Sequence, residues 1–321
     1  MIPKTFPNKF QQQALQSIKR FILMLTGVRG GKGLWEEEPV LTSKGYVPIK
    51  DIKVGDILFD RNGKKTRVTD IFNRGLQPCY SVEFNDGKKI IADSEHLWVI
   101  IDPHRRGEKV IKTEELYTKY NCYWNKKGTK ATIPVTKPID FGEKKLPIDP
   151  YILGVLLGDG SITNSCSLSI GDKEIIEEIE KRLPGGFKVT QKGKFDFSIV
   201  ESVRRHNRFG YPENRITEEL KKLGLFGKKS GDKFVPKEYL LSGIKQRLEL
   251  IRGMMDTDGY VCKNKDIIFY TISEKMAKNF QFLIESLGGK TRISSKNPIF
   301  RYNGIKRFGQ KCYIVRIILK R

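Results

Sequence analysis

Two aspartates, Asp159 and Asp258, each stand near the end of an apolar run that contains a glycine and finishes in Asp-Gly. The runs are residues 152–160 (ILGVLLGDG) and 251–259 (IRGMMDTDG). If both runs are helices, the glycines allow them to pack backbone to backbone, which would bring the two carboxylates together. Converging carboxylates are what divalent-metal phosphodiester chemistry requires. The pattern therefore predicts a metal-dependent nuclease site, against the alternative that each Asp only ends a helix before Gly.

Both runs resemble the LAGLIDADG signature of DOD-type homing endonucleases at the first small or apolar position, the central glycine and the closing Asp-Gly. The resemblance implies that Asp159 and Asp258 hold Mg²⁺ with help from the carbonyls of Gly158 and Thr257. A water activated by the metal would then attack each DNA strand. Lys233, in Lys-Phe-Val-Pro, resembles the Lys-x-Ile-Pro block ahead of the second signature helix. It is predicted to orient water or stabilise the phosphorane, and the sequence does not locate a second such lysine.

The elements around these runs are duplicated. SIGDK (residues 169–173) and TISEK (residues 271–275) open amphipathic stretches that lie 102 residues apart, and the two aspartates are 99 residues apart. An Asp-Pro pair at 149–150 is typical of a helix start. The sequence predicts an α+β domain over 141–321, built from two αββαββα-type repeats (about 147–230 and 231–321) related by a pseudo-twofold axis. Its predicted strands lie at 167–170, 195–199, 267–271, 299–302 and 313–318.

The charge favours DNA as the partner. Lys and Arg number 60 against 37 acids, a formal charge of +23, and phosphate neutralisation releases counterions. A merely basic protein would show the same excess, but here the basic residues concentrate on the predicted strands of both repeats. Two sheets side by side suit the major groove of B-DNA. We expect a monomer on a long, asymmetric double-stranded target, contacted by Lys192, Lys194, Arg204, Arg205, Arg292, Arg301 and Arg307.

Residues 33–140 show short alternating strands and turns, typical of an all-β module. The motifs at 45–56 and 86–96 resemble the N-terminal, Hint-type splicing region of an intein, which implies splicing roles for Gly33, Asp93, His96 and Trp98. Glycine at the first position cannot perform the usual N-to-S acyl shift. Two alternatives remain: an inactive splicing module, or the intein class that uses an internal Cys and carries a Trp two residues after the His. A C-terminal splicing part is not recognisable, so we expect an incomplete module or a fragment that needs a missing C-terminal part.

Residues 1–32 are predicted to be the end of an interrupted host protein. A strand-like run at 21–25 leads into TGVRGGK (residues 26–32), which resembles the phosphate-binding loop of terminase-like, DNA-packaging ATPases of phages. The Ser or Thr that should follow Lys32 is replaced by Gly33, so Gly31 and Lys32 cannot serve a working loop here. The uninterrupted host gene at this codon is therefore the predicted cleavage target.

The remaining features restrict the class of protein. The five cysteines form no C-x-x-C pair and are read as reduced thiols, and no apolar run is long enough to span a bilayer. We expect a cytoplasmic protein of a prokaryotic or phage-infected cell, with no membrane partner. The favoured function is an intein-encoded, Mg²⁺-dependent homing endonuclease; the alternatives are a splicing precursor fragment and a DNA-binding relic that does not cut.

Overall fold

The computed structural model describes residues 18–26, 33–84, 86–101, 107–120, 131–203, 205–206, 212–262, 266–302 and 304–318. The chain forms two compact units, Met1–Ile139 and Asp140–Arg321. Gly31 and Lys32 of the interrupted phosphate-binding loop, and Arg204, which the sequence predicts to contact DNA, lie outside the described residues. None of the described helices is long and apolar enough to cross a membrane.

The first unit is mainly β-structure. Its strands are β1 Ile18–Thr26, β2 Leu34–Trp35, β3 Pro39–Thr42, β4 Gly45–Pro48, β5 Ile57–Phe59, β6 Lys65–Glu83, β7 Lys89–Asp93, β8 Leu97–Ile101 and β9 Glu108–Lys112. The main sheet has the order β1-β2-β7-β6-β5-β3-β4, and β8 pairs with β9 in a separate ribbon.

Two features of this unit differ from the sequence expectation. Residues 67–71 and 80–84 each have the alternating pattern of a separate short strand. Apart from Phe84, both belong to the one long strand β6, because the stretch between them pairs with β1. The unit also contains an α-helix, α1 (Thr113–Tyr120), although the sequence predicts only strands here. Two apolar clusters form its core, one around Ile49 and Val68 and the other around Trp98 and Ile100.

The second unit contains the two duplicated halves. The first half comprises α2 Pro150–Leu157, β10 Gly160–Ser161, β11 Ser167–Ser169, α3 Lys173–Arg182, β12 Phe187–Gln191, β13 Asp196–Glu201, β14 Arg205–His206, β15 Pro212–Glu213 and α4 Arg215–Lys222. The second comprises α5 Lys237–Leu240, α6 Ile244–Asp258, β16 Gly259–Val261, β17 Ile267–Thr271, α7 Glu274–Ser286, β18 Lys290–Lys296, β19 Ile299–Tyr302, β20 Ile305–Phe308 and β21 Cys312–Ile318.

Each half builds a four-stranded antiparallel sheet of the same topology. The orders are β10-β11-β13-β12 and β16-β17-β21-β18, so each half runs helix, two strands, helix, two strands. Asp149 caps α2 by accepting from the backbone N–H groups of Tyr151 and Ile152, which explains why the Asp-Pro pair begins a helix. In each sheet one face packs on its helix: Phe269 stacks on Phe280 of α7, and Leu168 shares a buried cluster with Ile179 of α3.

Glycines at the contact between α2 and α6 allow the two helix backbones to approach closely. A methyl carbon placed on Gly154 would lie 2.4 Å from the Leu250 carbonyl oxygen, and one placed on Gly253 would lie 2.2 Å from the Tyr151 carbonyl oxygen. Both partners stand three residues before the facing glycine, so the contact is reciprocal. Reciprocity of this kind is the signature of a twofold relation. The backbone of the helix pair therefore has the pseudo-twofold symmetry that the duplication predicts.

Candidate active site

The two signature aspartates lie at the same end of the helix pair. Asp258 is the last residue of α6, whereas α2 ends at Leu157, so Asp159 follows its helix by two residues. The ends approach closely: a methyl carbon on Gly158 would lie 2.0 Å from the Thr257 hydroxyl oxygen and 3.5 Å from Oδ2 of Asp258. Glycine at 158 thus lets the two acid-bearing ends meet.

Both carboxyl groups are harder to ionise than ordinary aspartates. Burial, and then the nearby charge of Asp159, raise the pKa of Asp258 to about 6. Burial also raises the pKa of Asp159, and the Lys233 ammonium opposes that rise. Asp159 is exposed at the surface, whereas Asp258 is partly buried. The charge of Asp159 disfavours ionisation of Asp258, and a bound cation would relieve this electrostatic cost.

Lys233 lies beside both acids, but its N–H groups point elsewhere. Its Nζ lies 2.7–3.0 Å from the carbonyl oxygens of Leu156, Leu157, Gly158 and Gly160. These carbonyls surround the end of α2, where a helix leaves acceptors without intrahelical partners and favours a cation. The side chain is 3% exposed, and burial lowers its pKa to about 8. The structure therefore gives Lys233 the position of a C-terminal cap, and its predicted action on a water stays a prediction.

Two clefts open on Asp159. One, of 390 Å³, is lined by Asp159 together with Lys228, Lys229 and Lys233. The other, of 260 Å³, runs over the first sheet and is lined by Lys192 and Asp196, with serines at 161, 165, 167, 169 and 198. The exposed pair Lys228 and Lys229 was not singled out from the sequence. Its position shortly before Lys233 is the only sequence signal that could have drawn attention to it.

The donor set fits a divalent metal that needs the substrate to complete its coordination. Within the described residues no group of three or more His, Cys, Asp or Glu side chains is placed to hold a metal ion. The protein ligands available at this site are therefore the carboxylates of Asp159 and Asp258 and nearby carbonyls. Mg²⁺ is commonly held by one or two carboxylates plus substrate phosphates. The Gly158 carbonyl accepts from Lys233, but its second lone pair leaves room for a metal. Thr257 lies in the last turn of α6, where helix carbonyls lack intrahelical partners.

The predicted DNA-contacting residues fall into two groups in this unit. Lys192 and Lys194 are exposed in the short connection between β12 and β13, and only the backbone of Arg205, in β14, is described. Arg292, Arg301 and Arg307 are exposed on β18, β19 and β20. Their contact with DNA stays a prediction.

The residues predicted to act in splicing lie close together in the first unit. The Asp93 backbone N–H donates to the Gly33 carbonyl at 3.0 Å, and a methyl carbon on Gly33 would lie 1.7 Å from Oδ2 of Asp93. The rings of His96 and Trp98 meet edge to face with centroids 4.8 Å apart. Trp98 Nε1 donates to the hydroxyl of Thr113, a buried residue that the sequence did not indicate.

Several replicative DNA helicases are similar to this chain. It is 28% identical over 285 residues to the helicase DnaB of Mycobacterium intracellulare, covering 83% of this chain and 44% of the helicase. It is 25% identical over 247 residues to DnaB of Synechocystis sp., covering 72% of this chain and 26% of that protein. The chain thus spans less than half the length of these relatives. They are helicases, whereas the sequence suggested a terminase-like host.

Solved structures of the homing endonuclease I-DmoI are also similar, including one of mesophilic variants and one in complex with its target DNA and Mn. They cover 54% of this chain and 89% or 87% of their own chains, at 12% identity and TM-scores of 0.33 and 0.34. Similarity at that level does not by itself establish a shared fold. Residues 245–318, within the second half of this unit, match the family described as LAGLIDADG-like domain.

Proposed function

We propose that this chain is a site-specific homing endonuclease that hydrolyses both strands of a DNA duplex with Mg²⁺. The observation that carries the proposal is the glycine-mediated approach of α2 and α6, which brings Asp159 and Asp258 together at one end. The LAGLIDADG-like match of residues 245–318 supports it. So does the charge of +23, which favours binding to a polyanion.

In the proposed reaction the residues of the site have three separate roles: metal binding, phosphate binding and positioning of the backbone. Asp159 and Asp258 would hold the metal, and Mg²⁺ when bound would supply Lewis-acid polarisation of the phosphate and a water of lowered pKa. Lys228 and Lys229 line the cleft at Asp159 and would bind the phosphate backbone. Lys233 fixes the backbone of residues 156–160, so Asp159 has a defined position before DNA arrives.

The helicase relatives support an origin as an insertion in a host gene. Their similarity covers 83% of this chain in the first case, which is more than the endonuclease-like unit alone. An element of this kind would cut the uninterrupted host gene, and the predicted insertion follows Lys32. The cluster of Gly33, Asp93, His96 and Trp98 is compatible with a Hint-type module. Splicing itself is the alternative function, and it would require a further C-terminal part.

Cleavage of a defined duplex tests the proposal. A duplex of the host gene rejoined at the codon after Lys32 is incubated with the purified chain and Mg²⁺, and we expect a double-strand break with short 3′ overhangs. Asp159→Asn and Asp258→Asn should each abolish the break. Glu180→Gln, which removes the same charge from an exposed position on α3, should cut as wild type does.

Two results would oppose the proposal, and a third would establish the alternative function beside it. Salt-dependent binding without product would favour the non-cutting relic. Undiminished cleavage by Asp159→Asn would place the chemistry elsewhere. A shortened, ligated product on mixing with a C-terminal fragment, detected by mass spectrometry, would show that the splicing function persists.

A further inference from the structure

The two sheets share a backbone plan but present different side chains on the face turned away from α3 and α7. Residues directly opposite each other in an antiparallel pair lie on the same face. In the first sheet the register aligns one row across all four strands, here called the first row: Ser161, Ser167, Ser198 and Thr190. The topologically equivalent row of the second sheet, the second row, is Tyr260, Ile268, Arg316 and Arg292.

The rows differ in reach and charge. All four members of the first row are short hydroxyls, and Ser198 is buried. Arg316 and Arg292 are neighbours in the second row and both are exposed. An arginine can donate two parallel hydrogen bonds to a guanine edge, whereas a hydroxyl donates or accepts with any base. The second row can therefore select a base, and the first row can accept several.

The two sheets also differ in charge beyond the rows, and the acid that approaches the second row is Asp266, whose Oδ2 lies 3.7 Å from Arg316 Nε. On the first sheet the exposed acid Asp196 shares the face of Ser198, and the position equivalent to it on the second sheet is Ile314. After Glu285 the chain has no acid at all, while Lys and Arg recur up to Arg321. The second half is thus the more favourable surface for phosphates.

The second half also carries a two-stranded ribbon that the first half lacks at this place. β12 and β13 are joined by residues 192–195 alone, whereas the ribbon of β19 and β20 stands between β18 and β21. Its side chains are exposed on both faces: Ile299 is 55%, Phe300 50% and Phe308 68% exposed, and Arg301 and Arg307 are also exposed. Two-stranded ribbons are marginal alone and fit the major groove of B-DNA. Basic and apolar side chains on such a ribbon suit a duplex flank.

We propose that the two halves read DNA unequally. The second half selects bases through Arg292 and Arg316 and contacts the outer flank of the duplex with the ribbon of β19 and β20, while the first half accepts many sequences. The inference rests on the proposed DNA-binding function and deepens it. It assigns one specific and one permissive half-site to a backbone that is symmetric.

Selection from a pool of random duplexes tests the division. The purified full chain is used in Ca²⁺, and bound duplexes are sequenced. We expect a consensus concentrated on one side of its centre and containing guanine. Arg292→Ala should weaken the preference for guanine over other bases at one position by about 5- to 150-fold, and Arg316→Ala should do so at another. Thr190→Arg, at the position equivalent to Arg292, should add a guanine preference on the other side.

The ribbon is tested by salt dependence and footprinting. The triple variant Arg301→Ala, Lys306→Ala, Arg307→Ala should lower the slope of log affinity against log salt by about 2 to 3, since each neutralised phosphate contributes about 0.9. Its footprint should shorten only on the guanine side. Lys173→Ala with Lys181→Ala, on the helix behind the first sheet, should leave the footprint unchanged.

The unequal division can fail while the proposed endonuclease function stands, and different results show the two failures. A consensus equally strong in both halves, or one that Arg292→Ala leaves intact in a variant that melts like wild type, would overturn the unequal division while homing endonuclease activity stands. Failure of the chain to bind or enrich any duplex would remove both.

Discussion

Adding one methyl group between α2 and α6 is expected to unfold the second unit more easily. In Gly253→Ala the new carbon would lie 2.2 Å from the Tyr151 carbonyl oxygen and 2.9 Å from the Val155 nitrogen. An ordinary contact needs 3.4–4 Å, so the helices must separate by about 1 Å. The obstacle is backbone on a buried helix, which cannot rotate away as a side chain could.

Two effects oppose each other in this variant. Alanine has a higher helix propensity than glycine, which favours Gly253→Ala by about 1 kcal/mol. Overpacking a core by a methyl costs about 1–3 kcal/mol, and backbone contact places this site at the upper end. The net loss is therefore about 2 kcal/mol in the free energy of unfolding. For a unit of this size that lowers the melting temperature by about 4–8 °C.

The first unit provides an internal control for the measurement. All three tryptophans, at 35, 98 and 124, belong to it, so tryptophan fluorescence follows the first unit while calorimetry follows both. Gly253→Ala should lower the melting temperature of the second unit, which calorimetry detects, and leave the fluorescence-detected melting of the first unit unchanged. It should also suppress DNA cleavage, although no acid changes. Gly185→Ala, where a methyl meets nothing within 4 Å, should melt as wild type does. A Gly253→Ala variant that melts no lower and cuts normally would refute the close helix approach.

Three further predictions concern the site and the first unit. Because the pKa of Asp258 is raised to about 6 in the folded chain from an ordinary 3.8, the stability it contributes without metal is present below pH 3.8 and is lost as the pH rises through 6. Asp258→Asn should therefore raise the melting temperature in EDTA at pH 7.5 and much less at pH 4, near the unfolded pKa. Equal gains at both pH values would contradict the cause given. Lys233→Met should lower the free energy of unfolding by about 3 kcal/mol or more, because the four carbonyls around Nζ lose their ammonium donor. Urea unfolding without DNA measures this loss, and a variant as stable as wild type would mean that the cap is dispensable. Gly33→Cys should destabilise the first unit, because Asp93 occupies the space of the new side chain, and adding a thiol reagent should release no N-terminal fragment. The double variant Gly33→Cys, Asp93→Gly should recover the stability. A single variant that is stable and releases the fragment would contradict this prediction.

Local and repeated patterns made much of the second unit predictable. The strand at 267–271 has the predicted bounds, and the helix start at Pro150 follows from the cap that Asp149 provides. The glycines at 154 and 253 predict a close helix pair, because a residue without a side chain leaves room for one helix backbone to contact another. The LAGLIDADG-like assignment of the second half is confirmed by the family match.

Other features depend on contacts between distant residues, which periodicity does not encode. β6 is one strand because β1 covers the stretch that separates its two predicted parts. The motif around Lys233 predicts a role in the site but not its contacts, because its four acceptors lie more than seventy residues earlier in the chain. The proximity of Gly33 to Asp93 likewise needs a fold to bring residue 33 onto the end of β7.

The duplication explains why the chemistry and the recognition differ in how well the sequence reveals them. Helix contact and acid position depend on the backbone, so both halves require small residues and Asp-Gly pairs at the same places, and the repeat is visible in the sequence. The faces of the sheets have no such constraint, since a strand keeps its register whether it carries Thr190 or Arg292. An asymmetric DNA target requires only that these side chains diverge. The strand register shows where the halves differ: Ser198 and Thr190 of the first sheet stand at the positions of Arg316 and Arg292 in the second, and these are the positions at which unequal reading of DNA is expected.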